Sequence, residues 1–329
     1  MPGASSPGFS AGARILITGA SGFVGVHAIR ELERSMPEAT LLRIDSNRHP
    51  SNHDDGQSLA LDITRRADVY AAIADLRPTV VLHLAAIAAP PEAEADPVRA
   101  WEVNVFGTMH LAGAILKHVP EAHLLFVGSS EAYGASFNLV DGPLSEEAQL
   151  RPLTSYATTK AAAELVVGQF VHSGLRAVTF RPFNHTGPGQ SPSYVVPAFA
   201  RQVARVERGL QEPVIEVGAI DAERDFLDVR DVARAYAEAA MNLEALEPGT
   251  VLNLASGQPW RIRAILERLI ALGGVKVDIR VDPARVRQNK VPRTWGNNGL
   301  ARAALGWSPS IPFDQTLLDV LNDWRIREG

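Results

Sequence analysis

The sequence predicts an α/β fold: a doubly wound parallel sheet with helices on both faces, followed by a smaller C-terminal α/β lobe. Three observations predict it. Apolar runs of five or six residues alternate with stretches of helical spacing up to Arg181, the pattern of parallel strands joined by helical crossovers. The first run leads directly into a glycine-rich turn and then a helix, as a doubly wound sheet begins. After Pro182 the texture becomes rich in Gly, Pro and Ser and the alternation loosens, which marks a second unit; 329 residues leave room for both.

Taken in order, residues 1–13 are small and polar, with no basic start and no apolar core, and are expected to form a flexible leader. Arg14–Thr18 reads as a buried strand, Val24–Leu32 as a helix, Thr40–Ile44 as a strand closing on Asp45, and Ser58–Leu61 as a short strand. Asp68–Leu76 reads as a helix, Thr79–Leu84 as a strand, Val98–Lys117 as a helix and His123–Val127 as a strand. Tyr156–Ser173 reads as a long helix and Ala177–Arg181 as a strand. Asn184–Tyr194 is expected to be a loop and Val195–Arg208 a helix. Phe226–Met241 is expected to be a strand that turns into a helix at Asp228 or Asp231. Val251–Leu254 follows as a strand, Arg261–Leu272 as a helix, Lys276–Val281 as a strand and Phe313–Arg327 as a closing helix. Residues 14–181, with about 226–250, are then expected to form a nucleotide-binding unit. Residues 182–225 and 251–329 form the lobe over it. The longest apolar stretch, Val80–Ala89, is interrupted by His83 and too short to span a bilayer. No membrane association is expected, and a cytoplasmic location is.

Composition narrows the chemistry. There is no cysteine, which excludes disulfides, a thiolate nucleophile and cysteine-ligated zinc or iron–sulfur sites. With 32 basic and 37 acidic residues the net charge is −5, so no chain-wide footprint for nucleic acid exists. The segment 276–302 nonetheless carries seven basic and two acidic residues, a local cationic patch suited to a small anionic ligand. Only four lysines occur: Lys117, Lys160, Lys276 and Lys290. No metal site is expected.

Gly19-Ala-Ser-Gly22-Phe23-Val24-Gly25 lies between the first strand and the first helix. Glycines permit the tight turn and close backbone approach, and the helix N-terminus offers N–H groups to a pyrophosphate. Asp45, 20 residues beyond Gly25, can accept hydrogen bonds from ribose hydroxyls and repel a 2′-phosphate. That favours NAD over NADP, although Arg43 and Arg48 flank it. Asp62 can meet the adenine or cap the following helix. Tyr156 and Lys160, at i and i+4, share one helix face. A lysine ammonium beside a phenol lowers the phenol's pKa, and Ser129 in Gly128-Ser-Ser-Glu131 offers a hydroxyl to the same substrate oxygen.

These motifs, with His83-Leu-Ala-Ala86, Asn104 and Ser129-Ser-Glu-Ala-Tyr-Gly134, resemble the extended short-chain dehydrogenase/reductase family over almost the whole chain from Arg14. The resemblance implies a Rossmann domain with NAD or NADP and a Ser129–Tyr156–Lys160 triad. It also implies cofactor contacts from Gly19, Gly22, Phe23, Val24, Gly25, Asp45, Asp62, Ile63, Leu84, Ala85, Ala86, Asn104, Tyr156, Lys160 and Pro182. Arg181–Pro192, Val217-Gly218, Arg224–Asp231 and Asn253–Gly257 are similar to the branch that reduces GDP-4-keto-6-deoxymannose to GDP-rhamnose. That similarity implies a GDP-linked or other nucleoside-diphosphate sugar bound by Ser130, Glu131, Asn184, Val195, Arg201, Arg224 and Arg287, and a homodimer built on Val98–Lys117 and Tyr156–Ser173. Met109, Ala112, Leu165 and Phe170 are its expected outward face. Two segments depart from the branch: Ile87-Ala-Ala-Pro-Pro91 lacks a lysine and serines, and Arg287-Gln-Asn-Lys-Val-Pro292 has Lys290 in place of a glutamate. The alternatives are a 4,6-dehydratase, in which Glu131 removes a proton, a 4-epimerase, or a non-catalytic nicotinamide-binding sensor. The glycine motif ends Gly22-Phe-Val-Gly25 where the dehydratases read Gly-Gln-Asp-Gly, which favours the reductase.

Overall fold

The computed structural model describes residues 12–46, 58–285 and 291–329. Strand and helix alternate from the start: β1 (Arg14–Thr18), α1 (Phe23–Ser35), β2 (Thr40–Asp45), β3 (Ser58–Ala60), α2 (Arg66–Leu76), β4 (Val80–His83), α3 (Pro90–Ala95), α4 (Pro97–Trp101), α5 (Thr108–His118), β5 (His123–Val127), α6 (Ser155–His172) and β6 (Arg176–Pro182). There follow β7 (Asn184–Thr186), α7 (Val195–Glu207), β8 (Val214–Val217), β9 (Glu223–Asp228), α8 (Val229–Met241), β10 (Val251–Leu254), β11 (Pro259–Arg261), α9 (Ile262–Gly273), β12 (Asp278–Val281), β13 (Arg293–Thr294), α10 (Gly299–Leu305) and α11 (Phe313–Arg327).

Seven strands form one parallel sheet in the order β10-β6-β5-β4-β1-β2-β3. Its central strands are apolar on both faces because helices cover both. Ile15, Ile17, Leu82, Leu125 and Phe180 point into one core, shared with Ala28 and Leu32 of α1 and Tyr236 of α8. Leu16, Val81, Leu124 and Phe126 point into the other, shared with Ile73 of α2, Ile115 of α5 and Val167 of α6. Strand order reverses between β1 and β4, which opens a crevice beyond their C-terminal ends. A second body, with β8 and β12 paired and α7, α9 and α11 packed around Phe199, Val203, Leu266, Leu317 and Trp324, stands beside it.

Several local expectations are corrected. Val251–Leu254, read as part of the lobe, is the seventh strand of the main sheet, in register with Thr179–Pro182. Trp307 also lies in that sheet's core, fully buried. Asn184–Tyr194 is not all loop, since Asn184–Thr186 pairs with Phe226–Asp228; three residues are too few to show a period. The helix expected across Val98–Lys117 is interrupted by a π-helical turn at Glu102–Gly107. Pro90–Ala95, unassigned from sequence, is helical with its prolines in the first turn, where no N–H is needed. Between the two acids proposed to start α8, Asp228 is the cap, accepting the Arg230 N–H at 2.8 Å. Ala13, placed within the expected leader, is buried and its carbonyl accepts the Thr40 N–H; residues 1–11 of that stretch lie outside the described residues. Among the described residues no helix is long and apolar enough to cross a membrane.

Candidate active site

β1 runs into Gly19, held at φ 71°, a conformation that suits glycine. A Cβ there would stand 2.9 Å from the Ala85 nitrogen. At Gly25 a Cβ would stand 2.4 Å from the Gly19 carbonyl oxygen and 2.5 Å from that of Ala20. Only glycine lets α1 start this close to the turn. Gly22 is the N-cap, and no side chain caps the helix, so its positive end faces the sheet crest. Asp45 accepts the Ser21 N–H at 3.1 Å on each carboxylate oxygen, which sets an acid at the edge of the cradle. The residues present therefore fit a dinucleotide: room for the pyrophosphate against the turn and an acceptor for ribose hydroxyls. Arg43 is ion-paired with Glu33 at 2.8 Å, and Arg48 lies outside the described residues. Phe23 stacks parallel to His185 with centroids 6.3 Å apart, while Val24 packs on the core. Leu84 and Ala85 lie beside the turn, their N–H groups donating to the Thr18 carbonyl and hydroxyl at 3.2 Å each; Ala86 follows them.

The second group gathers at the end of β5. α6 begins at Ser155 because Thr154 accepts the Ala157 N–H at 3.1 Å. Lys160 is buried and donates to the Val127 carbonyl at 2.7 Å; burial brings its ammonium down to about 8. The Ser129 hydroxyl accepts the Glu131 N–H at 3.1 Å. Burial, with the Glu131 carboxylate adding to it, holds the Tyr156 phenol above the ordinary range, and the neighbouring Ser129 hydroxyl opposes this. Lys160, expected to depress the phenol, is not among the groups that shift it here; its ammonium donates to the Val127 carbonyl, and desolvation raises the phenol. Behind the group, His83 bridges the hydroxyls of Thr18 at 2.7 Å and Thr108 at 3.0 Å. Burial, then the charge of Lys160, brings His83 down to about 3, so it stays neutral and braces strand ends.

The opposing wall comes from the other body. Glu131 is open to solvent yet enclosed by protein, as on the side of a cleft. Enclosure raises its carboxyl, and the charge of Arg224 on β9 opposes that rise. Arg224 also donates to the carbonyls of Glu223 at 2.8 Å and Pro292 at 3.3 Å. Tyr194, just before α7, has its phenol raised by burial and by Glu131 and Glu92. The chain thus brings together Ser129, Ser130, Glu131, Tyr156 and Lys160 with Tyr194 and Arg224, while Val195 packs against the core of the second body. Sequence reasoning missed Tyr194 and Glu92. Only its place beside Val195 could have flagged Tyr194, and Glu92 directly follows the Ile87–Pro91 segment that departs from the reductase pattern.

Other candidates have different positions. Asn104 is buried, and its amide is fully engaged: the oxygen accepts the Ile87 N–H at 2.8 Å, and the nitrogen donates to the Ile87 carbonyl at 3.2 Å and Thr159 at 2.9 Å. It braces α6 rather than offering a free donor. Asp62 accepts the N–H and hydroxyl of Thr64 at 3.0 and 2.7 Å, a local turn; it does not cap α2, whose N-cap is Arg65 with no side-chain cap. Ile63 is buried beneath Gly107. Pro182 closes β6, and Asn184 is exposed on β7. Arg201 is paired with Glu328 at 2.6 Å and lines a cavity of about 1100 Å³ with Ser191, Gln202, Arg205 and Arg280; no residue of the Tyr156 group lines it. Arg287 and Lys290 lie outside the described residues.

Residues 15–255 match the family described as NAD dependent epimerase/dehydratase. The GDP-6-deoxy-D-mannose reductase of Pseudomonas aeruginosa is 36% identical over 318 residues, covering 96% of this chain and 99% of that protein. The UDP-glucose 4-epimerase of Streptomyces lividans is 27% identical, covering 90% and 92%. Among solved structures, RMD from Pseudomonas aeruginosa complexed with NADPH superposes with a TM-score of 0.82 at 35% identity, covering 96% of this chain and 99% of that one.

Proposed function

The chain belongs to the NAD dependent epimerase/dehydratase family, the extended short-chain dehydrogenases/reductases, and from that premise we propose that it reduces the C4 ketone of a nucleoside-diphosphate 4-keto-6-deoxy sugar. It is an NAD(P)-dependent oxidoreductase. The substrate on this reading is GDP-4-keto-6-deoxy-D-mannose and the product GDP-D-rhamnose, supported by 36% identity to a protein named for reductase activity on that sugar nucleotide. The Tyr156 phenol, with the Ser129 hydroxyl and the Glu131 carboxylate as neighbours, is the observation that carries the reading.

Bound NADH or NADPH supplies the hydride for the carbonyl carbon. Gly19, Gly22 and Gly25 hold its pyrophosphate at the α1 N-terminus, Asp45 its adenine ribose, and Lys160 its nicotinamide ribose. Tyr156 donates its proton to the carbonyl oxygen as charge develops there. A phenol held above its ordinary range suits this direction, because it enters the reaction protonated at neutral pH. Ser129 donates to the same oxygen. Arg224 meets the diphosphate, and Glu131, Tyr194 and Asn184 meet sugar hydroxyls. The enzyme acts in the cytoplasm as a homodimer through the exposed Val98, Trp101, Phe106, Met109 and Leu165. Ala112 and Phe170, first assigned to that face, are core residues.

A second reading, a 4,6-dehydratase or 4-epimerase, draws on the raised Glu131 carboxyl beside Tyr156, since a carboxylate there can take a proton. The test is the purified chain with GDP-4-keto-6-deoxymannose and NADH or NADPH, following nicotinamide absorbance and sugar product together. The reductase consumes one cofactor per sugar. No cofactor consumption with the ketone, together with conversion of GDP-mannose at constant absorbance, sinks it in favour of the second reading. Tyr156→Phe is expected to bind cofactor and lose turnover; wild-type turnover in that variant removes Tyr156 as the acid.

A further inference from the structure

Beneath the catalytic group lies a buried polar chain that no step above uses. Glu164 is on α6, one turn beyond Lys160, and its side chain is a tenth exposed. Arg181 on β6 is 5% exposed. Its Nε donates to both Glu164 oxygens, at 3.2 and 3.0 Å, and a second nitrogen also reaches Glu164. Its remaining nitrogen donates to the Tyr133 hydroxyl and to the Glu146 carbonyl, each at 2.8 Å. Tyr133, wholly buried, donates its hydroxyl to Asn253 Oδ1 on β10 at 2.8 Å. Asn253 Nδ2 donates to the Leu144 carbonyl at 3.0 Å, and its backbone N–H donates to the Glu146 carboxylate at 2.8 Å. The guanidinium is met on all sides.

The ends of this chain are the catalytic elements. Tyr133 belongs to the 3-10 stretch Ser130–Asn138 that opens at Ser129 and carries Glu131. Glu164 rides on the helix that carries Tyr156 and Lys160. Between them passes Gly128, where a Cβ would stand 3.4 Å from Glu164 Oε2 and 3.0 Å from the Phe180 carbonyl. Lys160 seats on Val127 and Glu164 beside Gly128, so α6 grips the last two residues before Ser129. A buried ion pair is weak evidence of net stabilisation, because apolar residues of similar size often replace one without loss. Its directional bonds, unlike apolar packing, fix one register between the elements they join.

We propose that the Glu164–Arg181–Tyr133 chain is a positioning device that sets Ser129 and Glu131 against Tyr156. The proposal rests on the reductase reading for its kinetic readout only. The test uses the full chain with bound cofactor and two variants, Tyr133→Phe and Glu164→Gln. In Tyr133→Phe, kcat falls about tenfold with sugar-nucleotide KM within about twofold, and the loss exceeds any drop in the folded fraction. Glu164→Gln loses more. Crystal structures of wild type and Tyr133→Phe, which need no sugar, show the Ser129 Oγ to Tyr156 hydroxyl separation changed by about 0.5 Å or more, the tolerance of a catalytic constellation. A folded Tyr133→Phe with wild-type kcat and an unchanged separation overturns the proposal, and so does a loss of activity no greater than the loss of folded protein. If Glu164→Gln does not fold, Tyr133→Phe decides alone. A wild-type chain inert toward the sugar nucleotide sinks the reductase reading, while the measured separation still decides the positioning one.

Discussion

At the scale of single residues, the two titrating partners of the site are pushed apart. The Tyr156 phenol rises and the Lys160 ammonium falls to about 8, both through burial. Lys160 is charged below that value, and Tyr156 keeps its proton well above it. The kcat/KM for ketone reduction is therefore expected to fall as pH rises through about 8. A profile that stays flat across that range removes the ammonium from the step. The same shift has a stability consequence of opposite sign. Burying the charged amine is a penalty below pH 8, relieved between 8 and the ordinary 10.5, because the unfolded chain binds the extra proton there. Asp45 carries the second prediction at this scale. Its carboxylate repels a 2′-phosphate, and neighbouring Arg43 is held by Glu33, so kcat/KM with NADH exceeds that with NADPH by about tenfold. Asp45→Ala narrows the gap, and equal use of both cofactors by the unmutated chain contradicts the assignment.

At the scale of elements, what matters is how closely helices approach strand ends. α1 can begin against the crest of β1 only because Gly25 has no Cβ to meet two carbonyl oxygens within 2.5 Å. Gly25→Ala is expected to weaken nicotinamide binding by at least about tenfold, since the helix must retreat from the pyrophosphate position. Fluorescence titration of NADH measures this, with far-UV circular dichroism showing the sheet retained. The π-helical turn at Glu102–Gly107 works the same way. It adds a residue to one turn and directs Asn104 inward, to tie the segment after β4 to Thr159 on α6.

At the scale of the whole molecule, the C-terminal sequence is a working part of the main core. Trp307 is fully buried there and donates its indole N–H to the Asp231 carbonyl at 2.8 Å. The Asp231 carboxylate in turn accepts the N–H groups of Ser310 and Ile311, each at 3.0 Å. Trp307→Ala is expected to lower unfolding free energy by about 3–5 kcal/mol. Urea unfolding measures it, and a change below about 1 kcal/mol would show that the segment is peripheral.

The glycine turn, the acid 20 residues on and the Tyr156–Lys160 pair were legible because each is local: a turn, a strand end and one face of one helix fix their geometry within a few residues of chain. The parallel sheet was legible for the same reason, its strands being apolar on both faces and long enough to show it. Of the strands of two or three residues only β3 was; β7, β11 and β13, too short to show a period, exist only through their pairing with β9. The assignment of Val251–Leu254 to the main sheet and the placing of Tyr194 and Arg224 opposite Glu131 depend on chain segments far apart in sequence. So do the pKa shifts, since desolvation is a property of the surroundings that folding assembles and not of the spacing between two side chains. The sequence by itself determined which chemical groups the site would have. Tertiary packing decided their protonation, their partners and the buried chain that holds them in register.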